Sequence, residues 1–432
     1  DSAATPAVPY KNSGQPQAPQ GVSVEPGNTD IHLTWNVADG ASSYQILRSE
    51  SGGSYAVVAD GIEATDYTDK GLSNGTAYQY AVIAIGDKGA SLPSEVVKGI
   101  PAPVIIVAQN GTGDYKTIND AIQAAPDNSA LTTIIKVKNG TYKEKVLVPS
   151  SKMNISIFGE SREGTVLING DSAKTIGSDG KEMGTSGSYT LKVAATDFTL
   201  ENMTVENSAG RDAGQAVALY AEGDRGVYRN VKLLGYQDTL FADKGRAYFV
   251  DSHIEGTVDF IFGNSAAVFE NNVIQSAGAG YVTAPSTATG KPGYVFINNR
   301  LTASEGVAAG TVDLGRPWRE YGSSTFINTE MGAHIRATGW HEWYEGRSKT
   351  ARFSEFLSYG EGANAASRYS WSKQLTAEEA AAYTIEAVLG GSDGWNPQQS
   401  KILVGQEQIP AVHVSSITVT GKDGISSIES KG

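Results

Sequence analysis

The strongest constraint on what this 432-residue chain can fold into is a repeat. Its form is an apolar residue, any residue, Asn or Asp, two more residues, then a large aliphatic. It reads Leu200/Asn202/Val205, Tyr228/Asn230/Leu233, Phe249/Asp251/Ile254, Phe269/Asn271/Ile274, Phe296/Asn298/Leu301 and Phe326/Asn328/Met331, with spacings of 28, 21, 20, 27 and 30 residues. A period of roughly 20 to 50 residues marks a solenoid, because one coil cannot bury its apolar face without the next. The units are short β-branched and aromatic runs between Gly, Asn and Asp, with almost no helical periodicity. The expected architecture is therefore a parallel β-helix, its neighbouring coils about 4.8 Å apart. Asn202, Asn230, Asn271 and Asn298 read as structural turn positions of the coils.

Side chains one coil apart can converge on such a scaffold. Asp238 in QDTLF (237–241) and Asp259 in DFIFG (259–263) lie 21 positions apart, and Gln215 in QAVAL (215–219) precedes Gln237 by 22. These four residues become candidates for one site. Two nearby carboxylates suit either a nucleophile with an acid/base partner or a glycoside hydrolase pair, and spacing does not separate the two. The five histidines are not spaced for a triad or a metal site, and His253 and His341 read as surface or packed residues. Alternation places Phe260 and Phe262 inside the coil with Asp259 facing out. The same rule sends Gln237 and Asp238 to opposite faces, so if both serve one site the backbone there must leave regular strand geometry.

Composition removes several classes of function. There are no cysteines, hence no disulfides or thiolate metal sites. No apolar run reaches 18 residues, so no membrane insertion is expected. A formal charge of −13 argues against nucleic acid and anionic membranes as partners. The opening DSAATPAVPY looks like a mature terminus left by processing, which points to a secreted or cell-surface protein.

Along the chain, residues 1–17 read as a linker. Residues 18–100 hold short alternating strands with regular turn signals, as in a small antiparallel β-sandwich. IHLTW with Trp35, SYQILRS with Tyr44, and LSNGTAYQYAVIA at 72–84 resemble a fibronectin type III module, with Trp35 as the core indole and Leu72, Tyr78, Tyr80 and Val82 on the strand of a tyrosine corner. Pro101 and Pro103 mark a boundary. Thr117–Ala125 has the spacing of a short amphipathic helix ended by Pro126, suited to capping the solenoid. Residues 376–389 read as one helix lying back across the coils. Residues 404–432 look like a linker and the first strand of a further immunoglobulin-like repeat, so the sequence reads as part of a longer modular protein, monomeric in itself.

QAVAL, QDTLF, VDFIFGN and LGRPW (314–318), in this order, resemble the signature segments of pectin methylesterases. The resemblance extends to GTYKE at 140–144 and SWSKQL at 370–375, and implies a right-handed parallel β-helix domain over 104–403. It implies hydrolysis of the C6 methyl esters of homogalacturonan, with Asp259 as nucleophile, Asp238 as acid then base, Arg316 paired with Asp259, and Gln215 and Gln237 as oxyanion donors. Trp318, Trp340, Phe241 and Tyr220 would wall the sugar groove; no metal or cofactor is expected. Phe241 stands where the family often has Tyr, which puts a hydroxyl's contribution to sugar binding in doubt. The competing readings are another pectin-active β-helix enzyme, a polygalacturonase or lyase, and a non-catalytic carbohydrate-binding β-helix. No Asp-Asp dipeptide supports the first, and no obvious third acid accompanies the pair as a lyase's Ca²⁺ site would require.

Overall fold

From Thr133 to Met331 each strand pairs in parallel with the strand three places away in the chain, which is the signature of a chain coiling around one axis. A computed structural model describes residues 14–398 and the strands Ser416–Gly421 and Gly424–Glu429. The described residues up to Pro103 form one compact unit and Val104–Gln398 another. In the second unit the coils stack three parallel sheets of 11, 8 and 7 strands.

The sequence repeat maps onto these sheets position by position. Its first residues pair in register in the 11-stranded sheet, Leu200 with Tyr228, then Phe249, Phe269, Phe296 and Phe326. From Tyr228 on, successive rings stack inside the coil with centroids 4.6, 4.8, 4.5 and 4.3 Å apart, near the strand spacing. Its last residues, Val205, Leu233, Ile254, Ile274, Leu301 and Met331, pair in the 8-stranded sheet. Between the two sheets, Asn202, Asn230, Asp251, Asn271, Asn298 and Asn328 all have positive φ, from 47° to 56°. Asn and Asp tolerate this left-handed conformation best among non-glycine residues, which is why they recur at the corner. Their amides also bridge coils, Asn230 donating to Asn202 at 2.7 Å and Asn328 to Asn298 at 2.6 Å.

The helix observed at Ile118–Ala124 is N-capped by Thr117, whose hydroxyl accepts from the Asp120 N–H, and it buries Ile118, Ala121 and Ile122 in the solenoid core. At its far end the Lys152 ammonium donates to the Gln123 carbonyl at 2.9 Å. The single helix expected at 376–389 is two, Ala377–Ala380 and Ile385–Leu389. Thr384 is extended (ψ 157°) and its hydroxyl accepts from Ala387 N–H, so a second N-cap interrupts the run. Val388 and Leu389 pack on Val227, Tyr248, Val250, Val268 and Val295 outside the 11-stranded sheet.

The N-terminal unit packs the antiparallel strands Ser23–Pro26, Asp30–Thr34 and Asp66–Lys70 against a second sheet built on Ser43–Glu50 and Tyr78–Gly86. Trp35 and Tyr44 meet edge to face in its core at 5.3 Å. The Tyr78 hydroxyl accepts from the Ser73 N–H, closing the tyrosine corner; Leu72 lies ahead of that strand rather than on it. Where one opening strand of a further repeat is expected near the end of the chain, Ser416–Gly421 pairs antiparallel with Gly424–Glu429. The rest of 404–432, and residues 1–13 of the linker, lie outside the described residues. Among the described residues no helix is long and apolar enough to cross a membrane.

Candidate active site

The strands of the 7-stranded sheet carry Tyr220 and Phe241, and the segments that lead into or out of those strands carry Gln215, Gln237, Asp238, Asp259, Arg316 and Trp318. Leu240 and Ile261 are partners in register, and each follows its aspartate by two residues, so Asp238 and Asp259 occupy equivalent places on adjacent coils. Both are left-handed, with φ of 66° and 52°. This resolves the alternation problem: the backbone leaves strand geometry at Asp238, so Gln237 and Asp238 need not face opposite ways. The Asp238 N–H donates to the Val258 carbonyl at 3.1 Å and Leu240 N–H to Phe260 at 2.8 Å, locking one turn on the next. The same turn corrects the expectation for Phe262. Phe260 and Ile261 enter the solenoid core, while Phe262 joins an outer cluster with Val217, Tyr220, Phe241 and Ala284. Alternation starts afresh after a left-handed residue, so counting from Asp259 misplaces the second phenylalanine.

The two carboxylates are almost equally covered, 6% exposed for Asp238 and 5% for Asp259, but they are served differently. Arg316 grips Asp259 with a two-pronged fork, Nε to Oδ1 at 2.8 Å and Nη2 to Oδ2 at 2.6 Å. The Asp238 side chain has no hydrogen-bond partner among the described residues. Burial raises the Asp259 pKa, and Arg316 opposes that rise. Asp238 is pushed well above the carboxylate range by burial and then by the charge of Asp259, with only a more distant pull from Arg316. Asp259 therefore ionises first, and Asp238 is the carboxyl that keeps its proton to higher pH.

Gln215 and Gln237 sit on adjacent coils, the Ala216 N–H donating to the Gln237 carbonyl at 3.1 Å. Both are half-buried, and neither carboxamide is bonded to a described residue. Tyr220, Phe241 and Phe262 stack face to face at 4.4 and 4.3 Å, and Trp318 stands edge-on to Phe241 and Phe262 at 6.4 and 5.8 Å. The structure thus brings together eight of the nine candidates. Trp340 is the exception and a correction: it is 1% exposed, stacked on Phe353 at 4.4 Å inside the solenoid. It bridges to Gly315, 25 positions earlier, so it continues the coil repeat as a core residue. The indole beside the site is Trp343, which lies over Arg316 together with Tyr281. Coil spacings of 20 to 30 residues fit Trp340 and Trp343 equally well when counted from Gly315, so the sequence carried no signal that separates the two tryptophans, and nothing in it marked Tyr281.

A parallel β-helix with a buried pair of carboxylates, one clamped by arginine and one without a partner among the described residues, beside paired amides and an aromatic wall, is an arrangement suited to a hydrolase that works with two carboxyl groups. Residues 104–392 match the pectinesterase family and residues 17–100 the fibronectin type III domain. The chain is 38% identical over 284 residues to pectinesterase 31 of Arabidopsis thaliana, covering 64% of this chain and 89% of that protein. Its match to pectinesterase 1 of Solanum lycopersicum, at 37%, spans half of that longer protein. Among solved structures, pectin methylesterase from carrot aligns with a TM-score of 0.64 and 30% identity, covering 69% of this chain and 96% of that one. The Erwinia chrysanthemi pectin methylesterase aligns at 0.60 and 34%, covering 68% and 98%. The chain belongs to the pectinesterase family: it is a carboxylic ester hydrolase with pectin methylesterase activity.

Proposed function

We propose that this chain removes C6 methyl groups from homogalacturonan in two acyl-transfer steps carried by Asp259 and Asp238. The observation that supports this division is that the two aspartates occupy equivalent left-handed turns on adjacent coils, while Arg316 clamps only Asp259. The ionised Asp259 attacks the ester carbonyl. The charge that develops on the carbonyl oxygen is taken by the Gln215 and Gln237 amides. Asp238 gives its proton to the departing methoxy oxygen, and methanol leaves an anhydride on Asp259. Water then attacks that anhydride while Asp238, now a carboxylate, takes its proton; Asp259 departs ionised and Asp238 is protonated again. The net products are a galacturonate carboxylate, methanol and one proton released to solvent.

Trp318, Phe241 and Tyr220 would carry the faces of the sugar rings. A related pectin methylesterase, 34% identical, has been solved with a hexasaccharide, which suits a groove of this kind. The formal charge of −13 gives no long-range attraction for the polyanionic product, so highly esterified substrate is favoured. An extracellular site of action, a monomeric state, and a fibronectin-like module over 18–100 serving as a spacer within a longer protein complete the proposal.

The test follows three products from highly methylated pectin: methanol with acid, new reducing ends, and unsaturated uronate. Methanol and acid alone are expected. Reducing ends or unsaturation without methanol would move the aspartates to chain cleavage. Gln215→Ala and Gln237→Ala are each expected to lower kcat about 10²-fold with KM little changed, the loss typical of one oxyanion donor. A rise in KM alone would make these amides ground-state binders instead.

A further inference from the structure

The Arg316 guanidinium is covered on both faces. Its Cζ lies 3.8 Å from the ring centre of Tyr281 and 3.9 Å from that of Trp343. The guanidinium nitrogens stand about 1.3 Å out from Cζ, so a ring centre this close cannot approach edge-on. Two rings cannot occupy one face, and each must therefore cover its own. We propose that Tyr281 and Trp343 are positioning residues of the esterase reaction, holding the Arg316 fork in one plane against Asp259 and keeping water off both of its faces.

Each ring is itself held. Tyr281 is on the strand Gly280–Pro285, one coil beyond Asp259, and pairs in register with Asp313. Trp343 sits in the left-handed region (φ 68°), a costly conformation for a bulky aromatic that persists only where its surroundings enforce it. Its backbone N–H donates to His341 Nδ1 at 2.9 Å. The loop beyond it is closed by Glu342, which accepts from the Ser348 hydroxyl at 2.9 Å, and tied by Arg347, which donates to the Pro317 and Trp318 carbonyls at 2.9 and 2.6 Å. The outer ring is thus anchored to the very segment that bears Arg316.

With both faces stacked, only the edge of the guanidinium can bond. Nε and Nη2 are used by Asp259, and Nη1 has no partner among the described residues. A guanidinium free to rotate would trade these bonds for water, and Asp259 would lose both its aim and the cation that favours its charge. The titratable groups facing the pair are Asp238, Tyr281 and His341, with Asp313 on the next coil, itself bridged to Arg336 at 3.1 Å.

The inference rests on Asp259 being the nucleophile. It is tested by rates on methylated pectin across pH for Trp343→Leu and Tyr281→Leu beside Trp343→Phe. Losing a stacked ring weakens the ion pair, which lets the Asp259 pKa rise, so the acid limb of kcat moves to higher pH. Each leucine variant is expected to move it by about half to one unit and to cost about tenfold in kcat, with phenylalanine in between. An acid limb that stays at its wild-type place while KM alone rises would reduce both rings to groove walls and overturn the proposal. Should a leucine variant fail to fold, the phenylalanine variant decides by the same limb. Asp259→Ala assayed in parallel separates the two claims: activity surviving there sinks the nucleophile assignment, whereas its loss beside an unmoved limb sinks only the aromatic sandwich.

Discussion

Asp259→Asn is expected to lower kcat for methanol release by at least about 10⁴-fold, the scale seen when a covalent nucleophile is removed. The change is isosteric, so the groove keeps its shape and the affinity for esterified oligosaccharide stays within a few-fold of wild type. The carboxamide has no charge to attack a carbonyl and cannot form the anhydride. The variant is also expected to be less stable, because Arg316 loses its anion while Tyr281 and Trp343 continue to shield it. Breaking a buried pair costs about 3–5 kcal/mol; the loss here is expected at or below the low end of that range, since 19% of the Arg316 side chain reaches solvent. Thermal melting read beside the kinetics separates the two effects. A folded, substrate-binding variant that keeps a hundredth of the wild-type kcat would require another nucleophile.

Much of this was legible because a solenoid writes its geometry into periodicity. The aromatic-corner-aliphatic repeat names, residue by residue, the internal stack from Tyr228 to Phe326 and the left-handed corners from Asn202 to Asn328. The same periodicity placed Asp238 and Asp259 on adjacent coils. What it could not reveal was facing after a left-handed residue. Phe262 points outward because the turn at Asp259 resets the alternation, and Trp340 is a core residue rather than a groove wall because it continues the coil from Gly315, while Trp343 lies over Arg316. The sandwich on Arg316 joins residues from three separate stretches of chain, and no local pattern announces such a meeting. At the helix expected over 376–389, composition favoured one continuous run, but the hydroxyl of Thr384 serves the backbone better as a cap than as a mid-helix side chain.

Asp238→Asn is expected to separate chemistry from stability in opposite directions. As the group that holds the dyad's proton, Asp238 protonates methanol on the way out and activates water on the way back; removing general acid and base together is expected to cost about 10²–10⁴-fold in kcat. The deficit should depend on the leaving group. An activated ester whose alcohol departs without protonation needs no acid, so the variant releases that alcohol in a burst and then stalls as the acyl-enzyme, which lacks its base. A uniform loss for methyl and activated esters, with no burst, would remove Asp238 from the proton path. Stability should move the other way. The folded pKa of Asp238 is raised by burial and by Asp259, so between the ordinary carboxylate pKa and the folded one the native state holds a proton that the unfolded chain has shed. Native stability therefore falls as pH rises through that window, and below it the term vanishes. Asn resembles the protonated acid at every pH. The variant is expected to match wild type in Tm below about pH 4 and to exceed it increasingly toward neutrality, because the wild-type enzyme keeps buried in its site a carboxyl that is poorly accommodated as a charge and is required as a proton carrier.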